Sequence, residues 1–231
     1  MYVEKKNVVI KISGKWINPD KPEVIGGYAK VLERLYVEGY RIAVVVGGGR
    51  VAREYITAGR KLGLSEAMLD LMGIAATRLN AMLFTVILND LAYQGVPRSL
   101  DEFMEAWSTG KIVICGGFQP GQSTNAVSAL IAEAIGAKLL VNATTVQGLY
   151  TKDPRTHPDA KLIKETTVDE AYRILIGEQH YMAGGYELMD PLSLMIIKRG
   201  KITVKIVYGG DPENVYRAVK GENPGTTIRP E

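Results

Sequence analysis

A chain of 231 residues, 46% of them apolar and 23% charged, has the balance of a folded globular protein able to bury a sizeable core. A formal charge of +3, with Lys and Arg dispersed along the chain, argues against a nucleic-acid partner. The single cysteine, Cys115, cannot close an intramolecular disulfide, and two histidines, His157 and His180, do not complete a structural zinc set.

No uninterrupted apolar run reaches the ~18 to 20 residues of a membrane-spanning helix. The start, MYVEKKNVVI, passes from charges into a short apolar stretch with no small-residue cleavage site, so no secretory signal and no membrane partner are expected. The expected compartment is the reducing cytoplasm.

In chain order, residues 8–12 form a short β-branched run that predicts a strand. VIGGYAKVLERLYVEG then places Val24, Tyr28, Val31, Leu32 and Leu35 at helical spacing before Gly39. RIAVVV at 41–46 is a second strand, and GGGRVAREYITAGRKLG opens a second helix on glycines. Residues 65–90 are apolar around most of a helix, predicting one long, mostly buried helix with a kink at Gly73. Ser99 followed by Glu102 is a capping-box signature for the next helix. A strand at 111–115, a helix at 126–135 and a strand at 138–142 follow. Beyond a turn-rich stretch, GLYTKDPRTHPDAKLI, come helices in TVDEAYRILIG and DPLSLMIIKRG, a strand in ITVKIVYG and a last helix in DPENVYRAVKG. Strands alternating with helices predict an α/β protein, a three-layer α/β/α sandwich on a mainly parallel sheet, with residues 1–231 as one domain.

Ligands of such sheets collect beyond the carboxyl ends of the strands. The strand exits here are KISGK, GGGR, GGFQPGQST and NATTVQG, and glycine lets a phosphate approach the backbone N–H groups of a helix start. Each glycine pair also suits a plain tight turn. No G-x-x-x-x-G-K-[ST] occurs, and GGGRVA does not fit G-x-G-x-x-G, which weakens a P-loop or simple dinucleotide-binding reading. Lys11, inside a strand, is either a snorkelling edge lysine or an ammonium aimed at a transferring phosphoryl group. Lys15 is a loop charge, and Arg53, one turn into a helix, is either exposed or reaches back to a phosphate. Asp70 interrupts an apolar series and needs donors, from ribose hydroxyls, Arg78 or a backbone N–H. Asp190 before Pro191 suits an N-cap or a carboxylate at the active edge.

Taken together, KISGK, VVGGGR, LDLMGIAATRLNA, GGFQPGQST and ELMDPL resemble the amino-acid kinase superfamily and, within it, the uridylate (UMP) kinases of archaeal type. The match runs over nearly the whole chain. The resemblance implies one domain with an N-terminal phosphate-acceptor lobe and a C-terminal ATP lobe. It also implies transfer of the γ-phosphoryl of ATP to UMP with Mg²⁺, and a homohexamer built from dimers. It makes Lys11 and Asp190 the catalytic pair, with no protein residue as metal ligand. It places ATP against Lys11, Ile12, Ser13, Gly14, Lys15, Gly49, Arg53, Thr144, Thr145, Tyr150 and Asp153. It places UMP against Gly48, Asp70, Phe118, Gln119, Pro120, Gly121, Gln122, Ser123 and Thr124. Relatives often read T-N-V-D-G where this chain has Thr144, Thr145, Val146, Gln147 and Gly148, and many carry Asp where Asn125 stands.

The acceptor phosphate is already an anion at neutral pH, so transfer needs no general base, which fits a chain without an obvious catalytic histidine. Two rivals are a same-fold kinase for a small carboxylate or carbamate and a nucleotide-binding or storage protein without transfer. The loop FQPGQST disfavours the first, because its aromatic ring and amides suit a flat base. Gln147 keeps the second open.

Overall fold

The computed structural model describes residues 6–152, 154, 156–176 and 188–231. Its elements in chain order are β1 (Asn7–Ile12), α1 (Pro22–Val37), β2 (Arg41–Val46), α2 (Gly49–Lys61), α3 (Glu66–Leu88) and a 3₁₀ turn (Asn89–Leu91). There follow α4 (Leu100–Ser108), β3 (Val113–Cys115), α5 (Thr124–Ala134), β4 (Leu139–Thr144), β5 (Glu165–Thr167), α6 (Val168–Ile176), α7 (Pro191–Gly200), β6 (Thr203–Tyr208), α8 (Glu213–Val219) and β7 (Thr226–Arg229). Among the described residues the strands form one sheet in the order β3-β2-β1-β4-β6-β7-β5. All neighbouring pairs are parallel except β6 with β7. The expected mainly parallel three-layer sandwich is what forms.

β1 shows how the layers arise. Successive side chains of a strand alternate between faces. Val8, Ile10 and Ile12 join a core with Tyr28 and Leu32 of α1, Phe84 of α3 and Val215 of α8. Val9 points the other way, into a core with Phe103 of α4, Ile131 of α5 and Leu194 of α7. Each fully buried aliphatic or aromatic side chain contributes about 1.5–3 kcal/mol by leaving water. The same alternation sends Lys11 to the α5 and α7 side. Because β2 and β4 flank β1, Lys11 sits on a central strand, which overturns the edge-strand reading of this lysine.

α3 runs unbroken through Gly73, where the sequence suggested a kink. A Cβ at Gly73 would stand 3.3 Å from Ile56 Cδ1, so the small residue serves close packing of α2 on α3. By length and composition α3 is long and apolar enough to cross a membrane. Its inward side chains Leu69, Ala81 and Phe84 are nevertheless fully buried in this fold. Ser99 caps α4 by accepting from the Glu102 N–H at 3.2 Å, while the Glu102 carboxylate reaches one residue further back, to the Arg98 N–H at 2.7 Å. β5 and β7 were not anticipated. β7 is wedged between β6 and β5, and the Thr226 hydroxyl ties it to Leu149 and Ile163.

Candidate active site

The exits of β1 and β2 meet backbone to backbone. A Cβ on Gly14 would lie 2.1 Å from the Gly49 nitrogen, and one on Gly49, whose φ is +67°, would lie 2.2 Å from the Gly14 oxygen. Only glycine satisfies both the contact and the left-handed backbone. Gly48 then caps α2 with no side-chain partner for the first N–H groups, so the helix start faces the cavity with free donors and a partial positive charge.

Lys11 is 5% exposed, and burial pushes its ammonium down to about 8, with the Asp190 carboxylate pulling the other way. Asp190 is itself buried and is the N-cap of α7. Its Oδ1 accepts from the Ser193 N–H at 3.0 Å while the Ser193 hydroxyl accepts from the Asp190 N–H at 3.0 Å. Its Oδ2 accepts from the Ser123 hydroxyl at 2.5 Å. The N-cap reading of Asp190 holds, and its carboxylate also acts on the buried Lys11 ammonium.

Polar residues of α3 hold the surrounding loops. Asn80 Nδ2 donates to the Gly47 carbonyl at 2.7 Å, and Thr77 Oγ1 accepts from the Gly117 N–H at 2.8 Å. Arg78 Nη2 donates to the Phe118 carbonyl at 3.1 Å. Asp70 Oδ2 accepts from the Gly121 N–H at 2.8 Å, the backbone option among the partners expected for it. Gly116 is needed because a Cβ there would strike Thr77 Oγ1 at 2.2 Å. Thr77, Arg78 and Asn80 were missed as site supports. The available signal was their spacing, since Asp70, Thr77 and Asn80 fall seven and three residues apart, on one helix face.

These loops enclose a cavity of about 430 Å³, within the size of small-molecule sites. It gathers Lys11, Ser13, Gly14, Lys15, Gly48, Gly49, Arg53, Asp70, Gln119, Gly121, Gln122, Ser123, Thr124 and Thr145. A neighbouring cavity of about 370 Å³ shares Gly14, Lys15, Arg53 and Thr145 with it and adds Lys21 and Arg50. Phe118 and Pro120 do not line the first cavity, and the Ile12 side chain is in the core. Thr144 is buried, its carbonyl accepting from Trp16 Nε1 at 3.0 Å. Tyr150 lies outside both cavities, its hydroxyl 3.5 Å from Gln147 Oε1. Asp153 and His180 lie outside the described residues. Cys115 is fully buried and burial pushes its thiol up, which leaves it inert. Among the described residues no group of three or more His, Cys, Asp or Glu side chains could hold a metal ion.

A buried ammonium, glycine turns with free N–H donors and a loop of amides along one sheet edge suit a nucleotide phosphotransferase. The model of the amino acid kinase family matches residues 6–208. The chain is 52% identical over 224 residues to the uridylate kinase of Hyperthermus butylicus, covering 97% of this chain and 98% of that one. It is 46% identical to the uridylate kinase of Sulfurisphaera tokodaii, covering 96% and 99%. Among solved structures, the uridylate kinase from Archaeoglobus fulgidus superposes with a TM-score of 0.84 at 38% identity, covering 96% of this chain and 99% of that one. The UMP kinase from Ureaplasma parvum, at 21% identity and a TM-score of 0.80 with coverage of 98% and 100%, shares the fold. The chain belongs to the amino acid kinase family and, within it, to the archaeal uridylate kinases.

Proposed function

We infer that the chain transfers the γ-phosphoryl group of ATP to UMP, giving UDP and ADP in pyrimidine nucleotide synthesis. The observation that carries this reading is the convergence of Lys11, the Gly14 and Gly48–Gly49 turns and the amide loop at 119–124 on one cavity. A UMP phosphate oxygen attacks the γ-phosphorus in line. A new P–O bond forms as the bond from the γ-phosphorus to the β–γ bridging oxygen breaks, and ADP carries that electron pair away. Lys11 and the glycine N–H groups stabilise charge shared between donor and acceptor, each donor contributing about 3–4 kcal/mol by analogy with oxyanion donors.

Arg53, on the rim common to both cavities, binds phosphate. Asp70, Gln119, Gly121, Gln122, Ser123 and Thr124 bind UMP, while Ser13, Lys15 and Thr145 face ATP. The acceptor lobe is thus N-terminal and the ATP lobe C-terminal, on one continuous sheet. Mg²⁺ would be carried by the ATP phosphates and would supply charge neutralisation during transfer. The enzyme works in the cytoplasm as a homohexamer built from dimers.

A coupled assay of ADP release in excess Mg²⁺ tests the reading, with UMP, CMP, aspartate, glutamate and carbamate as acceptors. UMP-dependent ADP release well above the other four is the expected result. Nucleotide binding without UDP formation would refute it in favour of a binding protein.

A further inference from the structure

Among the described residues, two buried side-chain polar atoms have no partner: Arg78 Nε and Asn142 Oδ1. Arg78 is anchored through its Nη2 on the Phe118 carbonyl. Asn142 is different. It is 1% exposed and lies in β4 directly across from Lys11 in β1. Residues paired in register on neighbouring strands point to the same face. Asn142 and Lys11 therefore share the α5 and α7 side of the sheet.

The orientation of the amide is determined by its neighbours. Asn142 Nδ2 donates to the Leu188 carbonyl at 2.8 Å and lies 3.4 Å from Asn125 Oδ1. Turning the amide over would press its oxygen against those two oxygens. Oδ1 is thus held out as a bare acceptor in a place where a missing hydrogen bond is costly. Lys11, 5% exposed, lies on that face too, and the two side chains are not hydrogen-bonded to each other in this structure. An ammonium offers donors alone and an amide oxygen accepts alone, so each supplies what the other lacks.

The charged groups around Lys11 are few. Asp190 faces it from the start of α7, and Lys15, Arg53 and Asp70 share its cavity. From α5 and its cap come Ser123 and Asn125, both neutral. An amide at position 142 can therefore orient the ammonium without adding a second anion.

We propose that Asn142 is a positioning residue for Lys11: its bare amide oxygen, on the same face of the sheet, draws the ammonium electrostatically and keeps it turned toward the transferring phosphoryl group. This rests on the role given to Lys11 under the proposed function. Asn142 touches neither nucleotide and acts through Lys11.

The test is NMR of the full-length protein carrying ¹³C-labelled lysine, with the Lys11 signal assigned by Lys11→Arg and followed across pH. Asn142→Leu lowers the Lys11 titration midpoint by about one pH unit. It also lowers kcat about tenfold while KM for UMP and ATP stays within about twofold. Asn142→Asp, which keeps an acceptor and adds a charge, raises the midpoint and recovers most of the turnover. Midpoints equal to the parent's in both variants overturn the proposal, since a merely structural amide would leave Lys11 untouched. If Asn142→Leu fails to fold by circular dichroism, Asn142→Asp carries the test. Midpoints that move as stated in a protein that makes no UDP sink the kinase reading and leave the influence of Asn142 on Lys11 standing.

Discussion

The Ser123 hydroxyl donates to Asp190 Oδ2 at 2.5 Å across 67 residues of chain, and each residue is also the N-cap of a helix. One bond thus joins the start of α5, which carries the amide loop, to the start of α7, which carries the carboxylate beside Lys11. Ser123→Ala removes this bond and the cap on the Ala126 N–H. The variant should lose about 1–2 kcal/mol of stability. Its turnover should also fall, because Asp190 is free to turn from Lys11. Urea unfolding and kcat, measured on the same preparation, check both effects.

Lys11 makes activity and stability respond to pH in opposite directions. Its ammonium, held near 8 by burial, is charged below that pH and neutral above it. In the kinase reading, kcat/KM falls as pH rises through about 8. Stability behaves otherwise. Between about 8 and the ordinary value of 10.5 the unfolded chain binds the proton that the folded chain has lost, so stability rises with pH across that window. Lys11→Met should therefore be the more stable protein at pH 7, by up to about 3 kcal/mol. The gap should close by pH 10.5, and kcat should drop by about 10²–10³. Denaturant titrations of both proteins at pH 7 and pH 10.5, with pH–rate profiles, decide it. A gap that does not change with pH would show that Lys11 carries no buried charge.

Gly14→Ala should be among the most damaging single substitutions in the chain. Its methyl group would collide with the Gly49 and Gly47 backbone, at 2.1 and 2.4 Å, and neither can give way as a flexible side chain could. A loss above about 3 kcal/mol is expected, with collapse of nucleotide binding. Gly26→Ala is the control, because a Cβ there meets nothing within 4 Å and Gly26 lies inside α1. Chemical denaturation of the pair should separate them by several kcal/mol.

α3 turns Met68, Leu79, Met82 and Val86 outward, with Leu79 59% and Val86 67% exposed. In the proposed homohexamer this face lies between subunits. Leu79→Asp combined with Val86→Asp should shift sedimentation from the hexamer to smaller species. A parent that sediments as a monomer at micromolar concentration would overturn the assembly.

Sequence patterning located what depends on local chemistry. The β-branched run at 41–46, the Ser99 cap and the glycine exits all carry their signal within a few residues, and all stand where expected. Nonlocal facts were hidden. Thr77 serves Gly117 and Arg78 serves Phe118, each 40 residues away, and a polar side chain inside an apolar helix does not name a partner so distant. The central position of Lys11 depends on which strands pair, and neither β1 nor its flanking loops encode the sheet order. β5 and β7, of three and four residues, are too short for alternation to mark. Ile12 shows the limit of carrying roles by resemblance, since its side chain faces the core and only its carbonyl reaches the turn, accepting from the Gly47 N–H at 2.9 Å.

The wedge of β7 between β6 and β5 also governs the order of assembly. Residues 165–167 join the sheet only through residues 226–229, which leave the ribosome some sixty residues later. While the chain is being synthesised, the far edge of the sheet must wait, with Thr227 not yet available to donate to Lys164. A nascent chain stalled before residue 226 can pair β1, β2, β3, β4 and β6 but leaves residues 165–167 without their strand partner, a stage at which cleavage by a co-translational protease would concentrate there.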